Sequence, residues 1–313
     1  MASVGKKLHH YVPRFYIKAW AQDDLVYCLR NGKILHTNVR NVAAENYFYR
    51  LCELSARDIA FVREVAIADS PKTLKPYLER LLRVLSLPHV ARRKVEASAM
   101  ATPELLAGVD NLITEMSENM HMSIEEEFRP YLNAMLAGDL GFYAQPARVA
   151  GFFWGIAAQY LRTNQIKRAR DRLRGDMLET FQCTVKVLVH ILAIKLGFGL
   201  YADRERFRLI LLENVTDIPF ITADQPVINI AAKPEETKPP DKFELYYPLS
   251  PNKAILLVEP LSNHLPGSPS VSAILAHHYN LLMGAHAYEQ IFANSRKELE
   301  SIRGELRAFR SCL

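Results

Sequence analysis

From about residue 55 to residue 200 the sequence keeps a helical rhythm, and beyond Tyr201 it breaks into short apolar runs separated by turn residues. Helices followed by clustered strands point to an α+β fold, with a central helical region packed on a mostly antiparallel sheet. Parallel strands would each need a long crossover between them. Thr102 is suited to cap a helix with Pro103 in its first turn, ending at Gly138. A second helix starts near Pro146, carries Val149, Phe153, Ile156 and Tyr160 on one face, and runs through a basic stretch to Arg174. A third spans residues 176–196, with Gly197 and Gly199 ending it. The strand-like runs are residues 207–212, 219–222, 227–230, 243–247 and 254–258, the last two joined across Pro248-Leu249-Ser250-Pro251. Residues 272–309 are helical in pattern, with a break near Gly284. Ahead of the helices, Asn31-Gly32 between two apolar runs predicts a small N-terminal β-hairpin, because both residues tolerate positive φ. Residues 46–49 form a short extended segment. No linker divides the chain, so one domain is expected: motif and hairpin in 1–54, helices in 55–200, sheet and C-terminal helices in 201–313.

Hydrophobic residues make up 49% and charged residues 23%, as in soluble globular proteins, and the net charge of +5 permits an anionic partner without requiring one. Cys28, Cys52, Cys183 and Cys312 are far apart and form no Cys-x-x-Cys pair, which excludes a zinc ribbon and a disulfide framework. The N-terminus carries Lys6, Lys7, His9, His10 and Arg14 and lacks a signal peptide's apolar core. The most apolar run, 185–200, is interrupted by Lys186, His190 and Lys195 and reads as a buried helix; no membrane association is expected, and the cytoplasm is the expected location.

The chemistry-bearing residues fall in short stretches. The first is His9-His10-Tyr11-Val12-Pro13-Arg14-Phe15-Tyr16. Its histidines suit a general base or a metal ligand, or else bond backbone carbonyls beside a packed aromatic cluster. Gln159 and Arg162 share a helix face, with Gly155 one turn earlier leaving room for an approaching group. Arg162 either forks onto a phosphate or pairs with an acid on a neighbouring helix. From Arg162 the helix carries Lys167, Arg168, Arg170, Arg172 and Arg174, a track for phosphates or a solvated face. Asp224, after a strand and before Pro226, suits a site or an Asx-turn. Ser250, between prolines, is no nucleophile elbow and favours a hydrogen-bonding role. Tandem His277-His278 precede Asn280, and whether they meet the N-terminal pair is open. No His-Glu-x-x-His, Walker or dinucleotide motif is present.

Four of these stretches resemble the DUF4238 family: residues 9–16, Gln159-Tyr160-Leu161-Arg162-Thr163, residues 220–227, and Tyr247-Pro248-Leu249-Ser250-Pro251. A weaker fifth is Tyr279-Asn280-Leu281 with Ala287. Where the family has Ser-Asp-Asn-Pro, this chain has Ala223-Asp224-Gln225-Pro226, so Asp224 remains while a hydroxyl is lost and an amide is lengthened. The resemblance implies no activity and supplies candidate positions.

Two functions are open. The first is a hydrolase acting on a phosphodiester, nucleases included. His10 would be general base or metal ligand, Asp224 its orienter or a ligand of the same metal, and Arg162 the phosphate clamp. Arg14, Gln159, Ser250 and Asn280 would position substrate or water, and a divalent metal would be the cofactor if one is used. The second is a non-catalytic module binding nucleic acid or another phosphate-bearing ligand. His10, Gln159, Arg162 and Asp224 are expected to line one cleft between the helical region and the sheet; an enzyme would place His10 and Asp224 within hydrogen-bond or common-metal reach, whereas a binding module need not.

Overall fold

The computed structural model describes residues 8–162, 171, 173–233 and 242–312 and has an α+β fold. Strand β1 (Leu8–His10) pairs antiparallel with β4 (Ala44–Asn46). Between them lie the one-turn helix α1 (Arg14–Ile17) and the hairpin of β2 (Leu25–Arg30) and β3 (Lys33–Asn38). Asn31 and Gly32 sit at φ of 51° and 73°, the left-handed pair that a two-residue hairpin turn demands.

The helical region follows. Helix α2 (Ala56–Val62) opens with a capping box between Ser55 and Asp58. Then come α3 (Lys75–Glu96), α4 (Pro103–Leu136), α5 (Pro146–Leu161) and α6 (Gly175–Ala202). Thr102 caps α4 by accepting the Leu105 N–H at 3.2 Å. The remaining elements are β5 (Arg208–Glu213), β6 (Thr222–Ala223), β7 (Ile228–Asn229), β8 (Leu245–Ser250), β9 (Lys253–Val258), α7 (Ala273–His286), β10 (Gln290–Ala293) and α8 (Arg296–Cys312).

Two four-stranded antiparallel sheets run in the orders β3-β2-β10-β6 and β5-β9-β8-β7. Their inner strands β10, β9 and β8 are buried on both faces. Val26, Cys28, Tyr247, Leu249, Ile255, Leu257 and Phe292 join α1, α4 and α5 in one core. Alternate residues, among them Leu29, Ile291, Tyr246 and Leu256, join α7 and α8 in a second core. A third core holds α2, α3 and α6. By length and composition α6 could cross a membrane, but 56% of its apolar window is buried within the protein, as for a core helix.

Several boundaries differ from the sequence reading. Helix α6 runs through Gly197 and Gly199 to Ala202. A Cβ on Gly197 would lie 3.0 Å from the Trp154 Cα, so this glycine lets α5 approach closely and does not end the helix. The described part of α5 ends at Leu161; residues 163–170 and 172, expected to continue it, lie outside the described residues. Strand β8 continues through Pro248 to Ser250, with a bulge between them. Gly284 does not break α7, because a Cβ there would stand 2.7 Å from Leu306 Cδ2, where α8 closes on it. Strand β10 interrupts the stretch expected to be helical. Its four residues are all buried and too few to show a period.

Candidate functional site

Strand β1 turns His9 and His10 to opposite sides. His9 is fully buried, and its Nδ1 accepts the Tyr49 N–H at 3.1 Å. The ring proton therefore sits on Nε2, which donates toward Glu118 at 3.2 Å. His10 is half-buried, with Nε2 3.2 Å from the Arg40 carbonyl. A carbonyl only accepts, so Nε2 carries the proton and Nδ1 keeps a lone pair. Burial lowers the His10 pKa, helped by the positive charges of Arg14 and Arg162, while the bond to Arg40 opposes the shift.

Arg162 sits at the C-terminus of α5 and is 1% exposed. Its Nε donates to the Tyr11 carbonyl at 3.0 Å, one Nη to the His10 carbonyl at 3.5 Å, and the other pairs with Glu125 of α4. Burial works against the charge, but Glu125 and Tyr49 outweigh it, so the guanidinium stays protonated. Of the two sequence readings for Arg162, an acid on a neighbouring helix is the partner present. Gly155 leaves no room for a ligand, because a Cβ there would fall 2.2 Å from the Phe128 ring that fills the space.

Asp224 is fully buried, and its carboxylate accepts the backbone N–H groups of Tyr288 (2.9 Å), Glu289 (2.7 Å) and Gln290 (3.0 Å). It fastens the connection from α7 into β10. The lengthened amide of Gln225 donates to the carbonyls of Tyr160 at 3.0 Å and Val227 at 2.8 Å. Asn280 accepts the Ile221 N–H at 3.0 Å and donates to the Pro219 carbonyl at 2.8 Å. Ser250 Oγ accepts the N–H groups of Asn252 and Lys253 at the β8–β9 turn. Gln159 is buried, and its Oε1 has no hydrogen-bond partner among the described residues. His277 pairs with Glu305 at 2.9 Å and His278 lies against Phe309, so each has its partner in α8.

The open space is elsewhere. A cleft of about 610 Å³ lies between the N-terminal motif and α4. His10, Arg14 and Phe15 line one side with Arg40, and Glu118, His121, Glu125, Glu126 and Arg129 line the other. Of the four residues expected to share one cleft, His10 lines it; Gln159, Arg162 and Asp224 do not. Arg162 stands behind it, holding Glu125 and the carbonyls of the motif. Among the described residues no group of three or more His, Cys, Asp or Glu side chains is arranged to hold a metal ion.

Sequence reasoning missed the α4 contribution. The signal was available, since Glu118, Met122, Glu125 and Arg129 recur at three- and four-residue steps along one face of a correctly predicted helix. Gln290 was also missed. Its Nε2 donates to the Tyr11 phenol at 2.9 Å and its Oε1 accepts the Ala43 N–H at 3.1 Å, and no local pattern announces that role.

Neither a curated protein nor a solved structure matches this chain. The family model described as "Protein of unknown function (DUF4238)" matches residues 8–297, and the chain belongs to that family.

Proposed function

We propose that the protein binds a phosphate-bearing ligand in the cleft between its N-terminal motif and α4. One observation carries this reading. Asp24, Glu118 and Glu125 are engaged by Lys18 (2.7 Å), His9 (3.2 Å) and Arg162, whereas Arg14, Arg40 and Arg129 have exposed side chains and no ion pair among the described residues. Of the α4 carboxylates that line the cleft, Glu126 is the exposed one, so exposed cations outnumber exposed carboxylates among the lining residues at its mouth. The Arg129 guanidinium lies 4.7 Å from the Phe15 ring centroid, which restrains it at the mouth.

Calorimetric titration with pyrophosphate tests the reading. Binding is expected, and Arg14→Ala with Arg129→Ala should weaken it by about tenfold or more, as for charge-assisted contacts. No binding, or binding indifferent to both substitutions, would sink it.

A hydrolase acting on a phosphodiester is the second reading, and His10 favours it. Its pKa is lowered, its Nδ1 keeps the lone pair, and it lines the same cleft. Asp224 is spent on three backbone N–H groups, so in this reading His10 works without it as orienter. Turnover of bis(4-nitrophenyl) phosphate, with and without magnesium or manganese, should fall by roughly 10²- to 10⁴-fold in His10→Ala if the imidazole is the base.

Nucleic acid is one phosphate-bearing candidate. Lys167, Arg168, Arg170 and Arg172 lie outside the described residues, and Arg174 donates to the carbonyls of Asp171 and Leu173. Binding of RNA through this run would weaken steeply with added salt and on charge reversal at Arg168, Arg170 and Arg172. Cys28, Cys52 and Cys183 are free thiols, in keeping with a reducing, cytoplasmic setting.

A further inference from the structure

The floor of the cleft differs from its mouth. Arg14, Arg40 and Arg129 are exposed at the mouth. Deeper in, the side chains of Glu118 and Glu125 are only 12% and 16% exposed, and His121 is 3% exposed. The His121 ring lies against Tyr49, with centroids 4.5 Å apart, and against His190, 4.3 Å apart. Neither of its nitrogens has a hydrogen-bond partner among the described residues. Buried polar atoms are ordinarily bonded, and His121 is among the residues that line the cleft.

The chemistry of that partner follows from the surroundings. Burial keeps His121 neutral, and His190, Arg162 and Lys186 all oppose a proton on it. A neutral imidazole offers one N–H donor and one lone pair. A hydroxyl group, which both donates and accepts, matches it. Beside their partners His9 and Arg162, the carboxylates of Glu118 and Glu125 keep acceptor sites for hydroxyls and offer no donor to a phosphate oxygen, so an anionic group is favoured at the mouth and a hydroxyl at the floor.

We propose that the ligand is a polyhydroxylated phosphate ester, a sugar phosphate, with its phosphate at Arg14, Arg40 and Arg129 and its hydroxyls on His121, Glu118 and Glu125. This rests on the reading of the cleft as a phosphate site. The volume of about 610 Å³ suits a small molecule of this size.

The test is calorimetry on the full chain with inorganic phosphate, ribose 5-phosphate, glucose 6-phosphate and glycerol 3-phosphate. At least one ester should bind about tenfold tighter than phosphate, as expected when a site's buried polar groups gain partners. His121→Phe keeps a ring between Tyr49 and His190 and removes both nitrogens; if that chain does not fold, His121→Leu serves. Either variant should abolish the preference and leave phosphate binding unchanged, while His121→Gln, with its donor and acceptor, should retain part of it. Esters no better than phosphate, or a preference that survives loss of the imidazole, would overturn the inference and leave the phosphate site standing. If neither phosphate nor any ester binds, both fall.

Discussion

The Tyr16 phenol stands 2.7 Å from the Thr222 hydroxyl, a bond between positions 206 residues apart. The same phenol donates to the Pro248 carbonyl at 2.7 Å, so Thr222 donates to Tyr16. Three motif stretches thus meet at one hydroxyl. Trp20 adds a second tie, donating to the Phe220 carbonyl at 2.7 Å.

Tyr16→Phe should keep the ring stacked on Tyr247 and strand the buried Pro248 carbonyl and Thr222 hydroxyl. The expected cost is about 1–3 kcal/mol, seen as a lower urea midpoint at unchanged slope. A variant as stable as the parent would show that this bond is not a structural tie.

Asp224→Asn should cost more. An amide accepts only through its oxygen and would turn an NH2 group toward the N–H donors of residues 288–290. A loss of about 2–4 kcal/mol is expected, with faster hydrogen exchange at those three amides. Unchanged exchange there would contradict the assignment of Asp224 as the fastening of β10.

Gly155→Ala should destabilise despite alanine's better helix propensity. The added methyl would come 2.2 Å from Phe128 Cδ2, at a packed contact between α4 and α5. Overpacking of this kind costs about 1–3 kcal/mol, which thermal unfolding would register. A rise in melting temperature would mean that the Phe128 ring moves aside freely.

The buried histidines set an acid limit. His190 bonds the Ser117 hydroxyl at 2.8 Å, and burial pushes its pKa down to about 4, with Arg162 adding to the shift. His121 is lowered in the same direction. The unfolded chain protonates His190 near pH 6.5 and the folded chain only near pH 4, so stability is lost as pH falls through that window. The His190 share is about 3 kcal/mol. His190→Leu should flatten the slope of stability against pH between those values, and an unchanged slope would contradict the account.

The layered architecture was legible in the sequence because its signals are local. Thr102-Pro103, Asn31-Gly32 and the period of α4 and α5 each act within a few residues. The site was less legible. Asp224, Arg162 and Asn280 are of catalysis-capable types, yet each takes backbone partners supplied by segments far along the chain. A polar residue that fastens a loop and one that binds a substrate have the same composition signature; only their surroundings differ. The cleft face of α4 escaped notice because Glu118, His121 and Glu125 look like the solvated side of any long helix.

Strand β10 lies between β2 and β6, so an inner strand of that sheet comes from the next-to-last element of the chain. Cys28 of β2 and Gln290 of β10 are 262 positions apart. On a ribosome adding about 5–20 residues per second, the β2–β3 hairpin emerges tens of seconds before the strand that covers its open edge. During that interval Val26 and Cys28 have no Phe292 to pack against, and β2 presents unpaired backbone to any neighbouring nascent chain. A transcript cut short before residue 290 would therefore yield an open-edged sheet that recruits further copies.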